Sequence, residues 1–372
     1  MSSMIRSWKY RLILVLFYLR GVVSTSRRGE YRLAVVKLDR LGDGVLALGA
    51  VRRVLENTGN DRTLLVVSTV AESLYRDEFP DVDLISLPVE CERLWPDFVL
   101  LLWKQYAQFH GFSVDEVVCL RHHRTDYDNA VVRLLRPQRC HASVGTAFSG
   151  TPSVQLPHPV LIPYPSADVV SCRELDAHRS VVQSFLGGEV TLAEVMPELD
   201  AGTTVTGESL VVCPTANDRI RQYPPHLLAE SLRQFLPVRP MPVQFCLPPG
   251  VDRAPWRQAA TNAGLTEVTW CFPPTVAELV LLLSKARLIL APESAPAHIA
   301  TALDKPMVAV LGGGHFGLVA PWSRSCRQRW LYRKIDCYGC LWRCRYREPL
   351  CLTGLMPCEI SDALKEVYDS TR

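Results

Sequence analysis

Five groups of residues have the types and spacing to do chemistry. Asp43 sits in Leu38-Asp39-Arg40-Leu41-Gly42-Asp43-Gly44, a glycine turn between a strand-like and a helix-like run. A carboxylate there can take a proton from an attacking hydroxyl; equally, Asp43 or Asp39 can cap the following helix. Arg219 and Arg221 lie in the polar loop Cys213-Pro214-Thr215-Ala216-Asn217-Asp218-Arg219-Ile220-Arg221-Gln222-Tyr223-Pro224. The planar fork of arginine suits phosphate oxygens, and a solvated surface loop is the plainer alternative. Glu293-Ser294-Ala295-Pro296-Ala297-His298 reads as a helix start, with Ser294 as N-cap and Pro296 in the first turn. The small side chains of Ala295 and Ala297 leave that start open to an anion, with His298 one turn in. Gly312, Gly313 and Gly314 follow a strand and can expose backbone N–H groups. An arginine loop with Thr215, an open helix start and a glycine loop together describe a diphosphate site.

The fifth group is Cys337, Cys340, Cys344, Cys351 and Cys358, five of the chain's 13 cysteines. Four thiolates in one loop suit a structural zinc ion, and iron is a second choice; free thiols or a disulfide formed on isolation are the alternatives. Arg343, Arg345 and Arg347 lie among them, with Tyr338, Trp342 and Tyr346. A basic, aromatic metal finger can be read as a nucleic-acid module, but a face toward a phosphorylated acceptor or an anionic membrane fits the rest of the chain better. No nucleic-acid partner is expected. The other eight cysteines are scattered, mostly beside apolar residues. An odd total of that kind argues for a reducing compartment rather than a secreted disulfide framework.

The elements that must position these groups alternate. Strands are predicted at 32–38, 63–68, 84–87, 114–120, 209–213, 242–247, 267–271, 287–291 and 307–311, and helices at 45–57, 225–236, 252–263, 275–285 and 295–303. That alternation means parallel sheets covered on both faces, in two Rossmann-like domains facing a cleft. The stretch 187–207, poor in large apolar residues, reads as the linker. The divisions are 1–29, an apolar and basic segment; 30–190, a first Rossmann-like domain; 205–335, a second; and 336–372, a cysteine-rich loop with a C-terminal helix. Residues 12–19 are apolar between basic neighbours and too short to span a bilayer, which takes about 20 residues. They suit a helix docked on the protein or lying on a membrane surface. With 372 residues, 48% hydrophobic composition and a formal charge of +3, the chain is neither disordered nor an electrostatic binder. It holds no G-x-x-x-x-G-K-[ST], which excludes a P-loop NTPase. Gly42-x-Gly44-x-x-Ala47 formally matches a dinucleotide fingerprint, so an NAD-dependent oxidoreductase is an alternative. It is disfavoured because no acidic residue ends the second strand. A non-catalytic binding protein built on the basic finger is the other alternative.

These residues resemble glycosyltransferase family 9, the heptosyltransferase-like enzymes, over about nine-tenths of the chain. Lys37-Leu38-Asp39-Arg40-Leu41-Gly42-Asp43 looks like the family's first-strand signature, whose Gly-Asp carries the proposed base. Arg221-Gln222-Tyr223-Pro224 is similar to its Lys-x-Trp-Pro element, with Arg221 in place of the phosphate-contacting lysine. Glu293-Ser294-Ala295-Pro296-Ala297-His298 resembles Asp-Thr-Gly-x-x-His, the donor-binding helix start. Glutamate at 293 and alanine at 295 depart from that pattern and change reach and room at the sugar. The resemblance implies a GT-B fold, inverting chemistry without a required catalytic metal, an ADP-heptose-like donor and a glycan or lipopolysaccharide-type acceptor. It also implies a cytoplasmic enzyme, peripheral at the inner face of a bacterial inner membrane. Some protein-modifying heptosyltransferases are similar in carrying a C-terminal metal-binding cysteine finger.

Overall fold

A computed structural model of the protein describes residues 30–89, 113–122, 124, 126–143, 172–202 and 207–371. The apolar segment expected at 12–19 lies outside them. The described residues up to Pro197, Cys172 excepted, form one compact unit, and Cys172 with Glu198 onward forms a second.

The first unit runs β1 (Glu30–Lys37), α1 (Leu41–Thr58), β2 (Thr63–Ser68), α2 (Glu72–Glu78), β3 (Asp83–Leu87), β4 (Ser113–Cys119), α3 (Asp126–Leu135), β5 (Arg139–Ala142) and α4 (Arg173–Leu186). Its sheet has the order β3-β2-β1-β4-β5, and every pairing is parallel. Leu33, Ala34, Val35 and Val36 of β1 are all buried, which is the unbroken apolar run that a strand covered on both faces needs. Val35 pairs with Leu65 on one side and Val118 on the other.

The second unit runs β6 (Leu210–Val212), a 3₁₀ turn (Arg219–Arg221), α5 (Pro225–Phe235), β7 (Val243–Cys246), α6 (Ala254–Asn262), β8 (Val268–Cys271), α7 (Val276–Ser284), β9 (Leu288–Pro292), α8 (Ala295–Ala302), β10 (Met307–Val310), β11 (Gln328–Leu331), α9 (Leu350–Thr353) and α10 (Pro357–Asp369). Its sheet, β11-β10-β9-β6-β7-β8, is also parallel throughout. The C-terminal helix α10 returns to this core: Ile360, Leu364 and Val367 pack with Leu232 and Phe235 of α5 and with Val308 and Val310 of β10. No helix among the described residues is long and apolar enough to cross a membrane.

Two local expectations change. The 42–44 segment is not a turn before the helix. Helix α1 already begins at Leu41, so Gly42, Asp43 and Gly44 form its first turn behind Arg40 at the N-cap, and no side chain makes a cap hydrogen bond. Neither Asp39 nor Asp43 is its N-cap residue. Asp43 instead places a negative charge beside the positive end of the helix. Gly44 is needed for room: an added Cβ would lie 3.1 Å from Ala71 Cβ, and its carbonyl accepts from Tyr75 Oη at 3.0 Å.

Part of the stretch predicted to link the halves is folded. Residues 193–195 make a 3₁₀ turn whose carbonyls press on α1. A Cβ at Gly49 would lie 2.3 Å from the Met196 carbonyl oxygen and 2.4 Å from that of Val195. Backbone cannot rotate out of the way as a side chain can. Gly49→Ala is therefore expected to destabilise the protein by about 1–3 kcal/mol, as overpacking does, read as a lower urea midpoint.

Candidate active site

In a parallel sheet all carboxyl ends lie on one edge, and ligands bind there. In the second sheet β6, β9 and β10 are neighbours, so the loops after them meet although residues 213 and 312 are far apart in sequence. The loop after β6 delivers Arg221 at the end of its 3₁₀ turn. The loop after β9 delivers Glu293 and the start of α8, and the loop after β10 delivers Gly312 to His315.

The centre is a buried ion pair. Arg221 Nη2 donates to both Glu293 carboxylate oxygens at 2.7 Å and to the Glu293 carbonyl at 2.8 Å. The two side chains are 13% and 4% exposed. His298 Nε2 stands 3.6 Å from Oε1 of Glu293, and His315 Nδ1 stands 3.5 Å from Oε2. Burial works to raise the Glu293 pKa. The Arg221 charge outweighs it, helped by the nearby His298 and His315, and holds the carboxyl well below the usual range. So Arg221, Glu293 and His298 come together as the sequence suggested, but Arg221 does not face outward as a free phosphate ligand. Its Nη2 serves Glu293, while its Nε is buried without a hydrogen-bond partner among the described residues. Thr215 is half-buried at the start of the same loop, and Arg219 is exposed.

Ser294 is the N-cap of α8, but its hydroxyl donates to the Pro292 carbonyl at 3.2 Å instead of accepting from the helix. Pro296 has no N–H. Those of Ala297 and His298 turn back to the Ser294 carbonyl. The donors that suit a ligand are therefore the N–H groups of Ser294 and Ala295.

The glycine loop does something other than expected. Gly312, Gly313 and Gly314, expected to expose N–H groups to a phosphate, are buried, and aromatic rings of the cysteine-rich segment lie on them. A Cβ at Gly312 or Gly314 would lie 2.2 Å or 2.5 Å from the Trp342 ring, and one at Gly313 would lie 2.5 Å from Tyr338. Gly339 N–H donates to the Gly313 carbonyl at 2.8 Å, and Leu341 N–H to that of Gly314 at 3.1 Å. None of the three glycines has a positive φ. Their role is to let rings approach the backbone. Trp342 then faces the ion pair, with the Arg221 guanidinium carbon 5.9 Å from its ring centroid and His315 edge-on at 5.9 Å.

Of the five clustered cysteines, Cys337, Cys340 and Cys344 are half-buried, Cys351 is buried and Cys358 is exposed. Burial raises the Cys351 thiol, and the neighbouring Cys337 and Cys340 add to that. Cys344 Sγ faces the Glu348 carbonyl at 3.7 Å. Among the described residues, no three His, Cys, Asp or Glu side chains are gathered as a metal would require.

In the first unit, Asp43 is half-buried above a fully buried charge network. Lys37 Nζ lies 2.7 Å from Glu174, 2.9 Å from Asp39 and 3.3 Å from His178 Nε2. Burial works to lower the Lys37 pKa, but the carboxylates of Asp39, Glu174 and Asp43 outweigh it and hold the ammonium charged. Arg121 pairs with Asp39 and, at 2.9 Å, with Asp128. In the sequence Lys37 stands only as part of a motif, and Glu174 and His178 carry no signal of their own. A lysine inside Leu-Ala-Val-Val-Lys-Leu was the available signal, since a buried cation needs partners. Trp342 stands in the sequence only as one aromatic of the cysteine-rich segment, and nothing there marks Trp322 or His315.

Two parallel α/β units with their functional loops at the strand ends define a GT-B-type architecture. Residues 187–346 match glycosyltransferase family 9 (heptosyltransferase). That match, with the fold, marks the chain as a glycosyltransferase. No curated protein matches the sequence. Three solved structures share the fold. The ADP-heptose lps heptosyltransferase II of E. coli is 13% identical, with TM-score 0.62, covering 91% of this chain and 99% of that one. The E. coli heptosyltransferase WaaC with ADP is 16% identical, with TM-score 0.63, covering 92% and 100%. The iron-containing dodecameric glycosyltransferase TibC of enterotoxigenic E. coli is 12% identical, with TM-score 0.52, covering 94% and 79%.

Because the Glu293 pKa is depressed on folding, its contribution to stability is present above the ordinary value of 4.5 and is lost as pH falls through the folded pKa. Glu293→Gln leaves Arg221 buried without its counter-ion. It should cost about 3–5 kcal/mol at pH 7, and the gap to the native protein should narrow below pH 4.5 in denaturation curves taken across pH.

Proposed function

We propose that the enzyme transfers a sugar, heptose in the first instance, with inversion, from a nucleotide diphosphate donor to a hydroxyl of a glycan or lipopolysaccharide-type acceptor. The observation that carries this is the gathering of three neighbouring strand ends on Arg221, Glu293, His298 and the start of α8. That set gathers hydrogen-bond donors around one neutralised carboxylate, beside the positive dipole end of α8. Similar structures solved with ADP or named for ADP-heptose support the choice of donor.

In this reading Arg221 Nε, the Ser294 and Ala295 N–H groups and His298 bind the donor diphosphate, with Thr215 and Arg219 along the loop. Such preorganised donors stabilise the departing diphosphate, and the mechanism calls on no catalytic metal. Asp43 takes the proton of the acceptor hydroxyl. The oxygen then bonds to the anomeric carbon as the bond to the diphosphate breaks, and the diphosphate leaves with the electron pair. One displacement inverts that centre. Lys37 keeps charge of the right sign beneath Asp43, which favours the carboxylate a base must be. The enzyme would work in the cytoplasm, peripherally at the inner face of the inner membrane, with no nucleic-acid partner.

Asp43→Ala should lower transfer at least about 100-fold, as loss of a general base does, while ADP still binds in calorimetry. An active variant removes Asp43 as base. A donor screen, with the transferred residue weighed by mass spectrometry, identifies the sugar.

A structural metal is proposed for the cysteine-rich segment. Cys337, Cys340 and Cys351 lie close enough to influence one another electrostatically, and Cys344 is on the same loop. Four thiolates of this kind suit zinc or iron, and one structure of this fold is that of an iron-containing enzyme. Cys358 sits instead near Tyr223. Binding would draw the thiols together. Elemental analysis of protein purified under reducing conditions should find about one metal ion per chain, lost in Cys340→Ser; metal-free native protein refutes the site.

A further inference from the structure

His298 and Trp322 are both buried, at 2% and 6% exposed. The indole Nε1 of Trp322 lies 3.0 Å from Nδ1 of His298. The rings are nearly parallel, 8° apart in plane with centroids at 6.2 Å, and Trp330 packs on the same imidazole at 6.1 Å. An indole N–H can donate and cannot accept. Nδ1 of His298 must therefore be the acceptor, and it carries no proton. In a neutral imidazole the one N–H is then on Nε2, the nitrogen that faces Glu293. The charged and titratable groups around this ring are Glu293 from the end of β9, Arg221 from the loop after β6, and His315 from the loop after β10. Arg221 already neutralises Glu293, so the carboxylate does not need a second cation.

We propose that Trp322 is a positioning residue: it fixes His298 as an Nε2–H donor, directed to the place where Glu293 meets the start of α8. The proposal rests on the reading of that place as the donor-binding end. It adds that a bound donor meets a hydrogen-bond donor from His298 and never an acceptor. This selects for an anionic or carbonyl-type oxygen at that position. It also takes His298 out of consideration as a base, leaving proton abstraction to the first unit. The sequence could not show this, because Trp322 is 24 residues from His298 and lies beyond β10.

Nitrogen-15 NMR of the full chain, labelled at histidine and assigned with His298→Ala, reads the tautomer directly. The native protein should show His298 with a protonated Nε2 and a bare Nδ1. Trp322→Phe keeps an aromatic ring at the position and removes only the N–H. It should change that signature and weaken ADP binding about three- to tenfold, the size of one hydrogen bond. A native spectrum with the proton on Nδ1 overturns the proposal. So does a Phe variant with an unchanged signature or unchanged ADP affinity. If the Phe variant fails to fold, the native spectrum still decides. If native protein shows the expected tautomer but binds no ADP, the donor reading has failed and the tautomer assignment has not.

Discussion

The arrangement depends on parallel strand pairing. Every paired strand in both sheets runs the same way as its neighbours, so each sheet has one edge where all chains leave and all loops begin. Strand interiors are covered on both faces and tolerate little but Val, Leu, Ile and Ala. Polar chemistry is driven to the carboxyl edge, where helix starts supply positive dipole ends. Arg221, Glu293 and His315 meet because β6, β9 and β10 are adjacent, and for no reason local to any of them.

Each unit then meets the same electrostatic difficulty in its own way. The first buries Lys37 and surrounds it with Asp39, Glu174 and His178. The second buries Arg221 against Glu293. In neither case does the pair by itself favour folding strongly, since desolvation offsets much of the attraction. What it secures is orientation: a cation held by two or three fixed oxygens cannot swing. Arg221 has its Nη2 committed and its Nε left over. Lys37 anchors the ground beneath Asp43 through α4, an element whose sequence carried no chemical signal.

The cysteine-rich segment is part of the second unit's functional edge. Trp342 and Tyr338 lie on three glycines that have no side chains to resist them, and the N–H groups of Gly339 and Leu341 donate to the glycine carbonyls there. Trp342 also borders the Arg221–Glu293 pair. Residues 337–344 therefore belong to the same edge as the ion pair. The buried N–H of Trp342, without a hydrogen-bond partner among the described residues, belongs to the same edge.

The alternation of apolar runs and helical stretches determined the fold class by itself, because burial on both faces writes a signature that few other architectures share. It placed 63–68 residue for residue and the strands of the second half to within one or two. The short β5, built from Arg-Cys-His-Ala, and β11, from Gln-Arg-Trp-Leu, escaped because neither is an apolar run. Loop chemistry was legible as composition: Arg221, Glu293 and His298 were recognisable as a set, and Asp43 as a carboxylate at a strand end. Only the tertiary structure decided that Arg221 binds Glu293 rather than facing outward, that the three glycines admit rings rather than present N–H groups, and that Trp322 sets the proton on His298. Those outcomes depend on which strands are neighbours and which side chains face the same edge, and such contacts join residues that no spacing in the sequence relates.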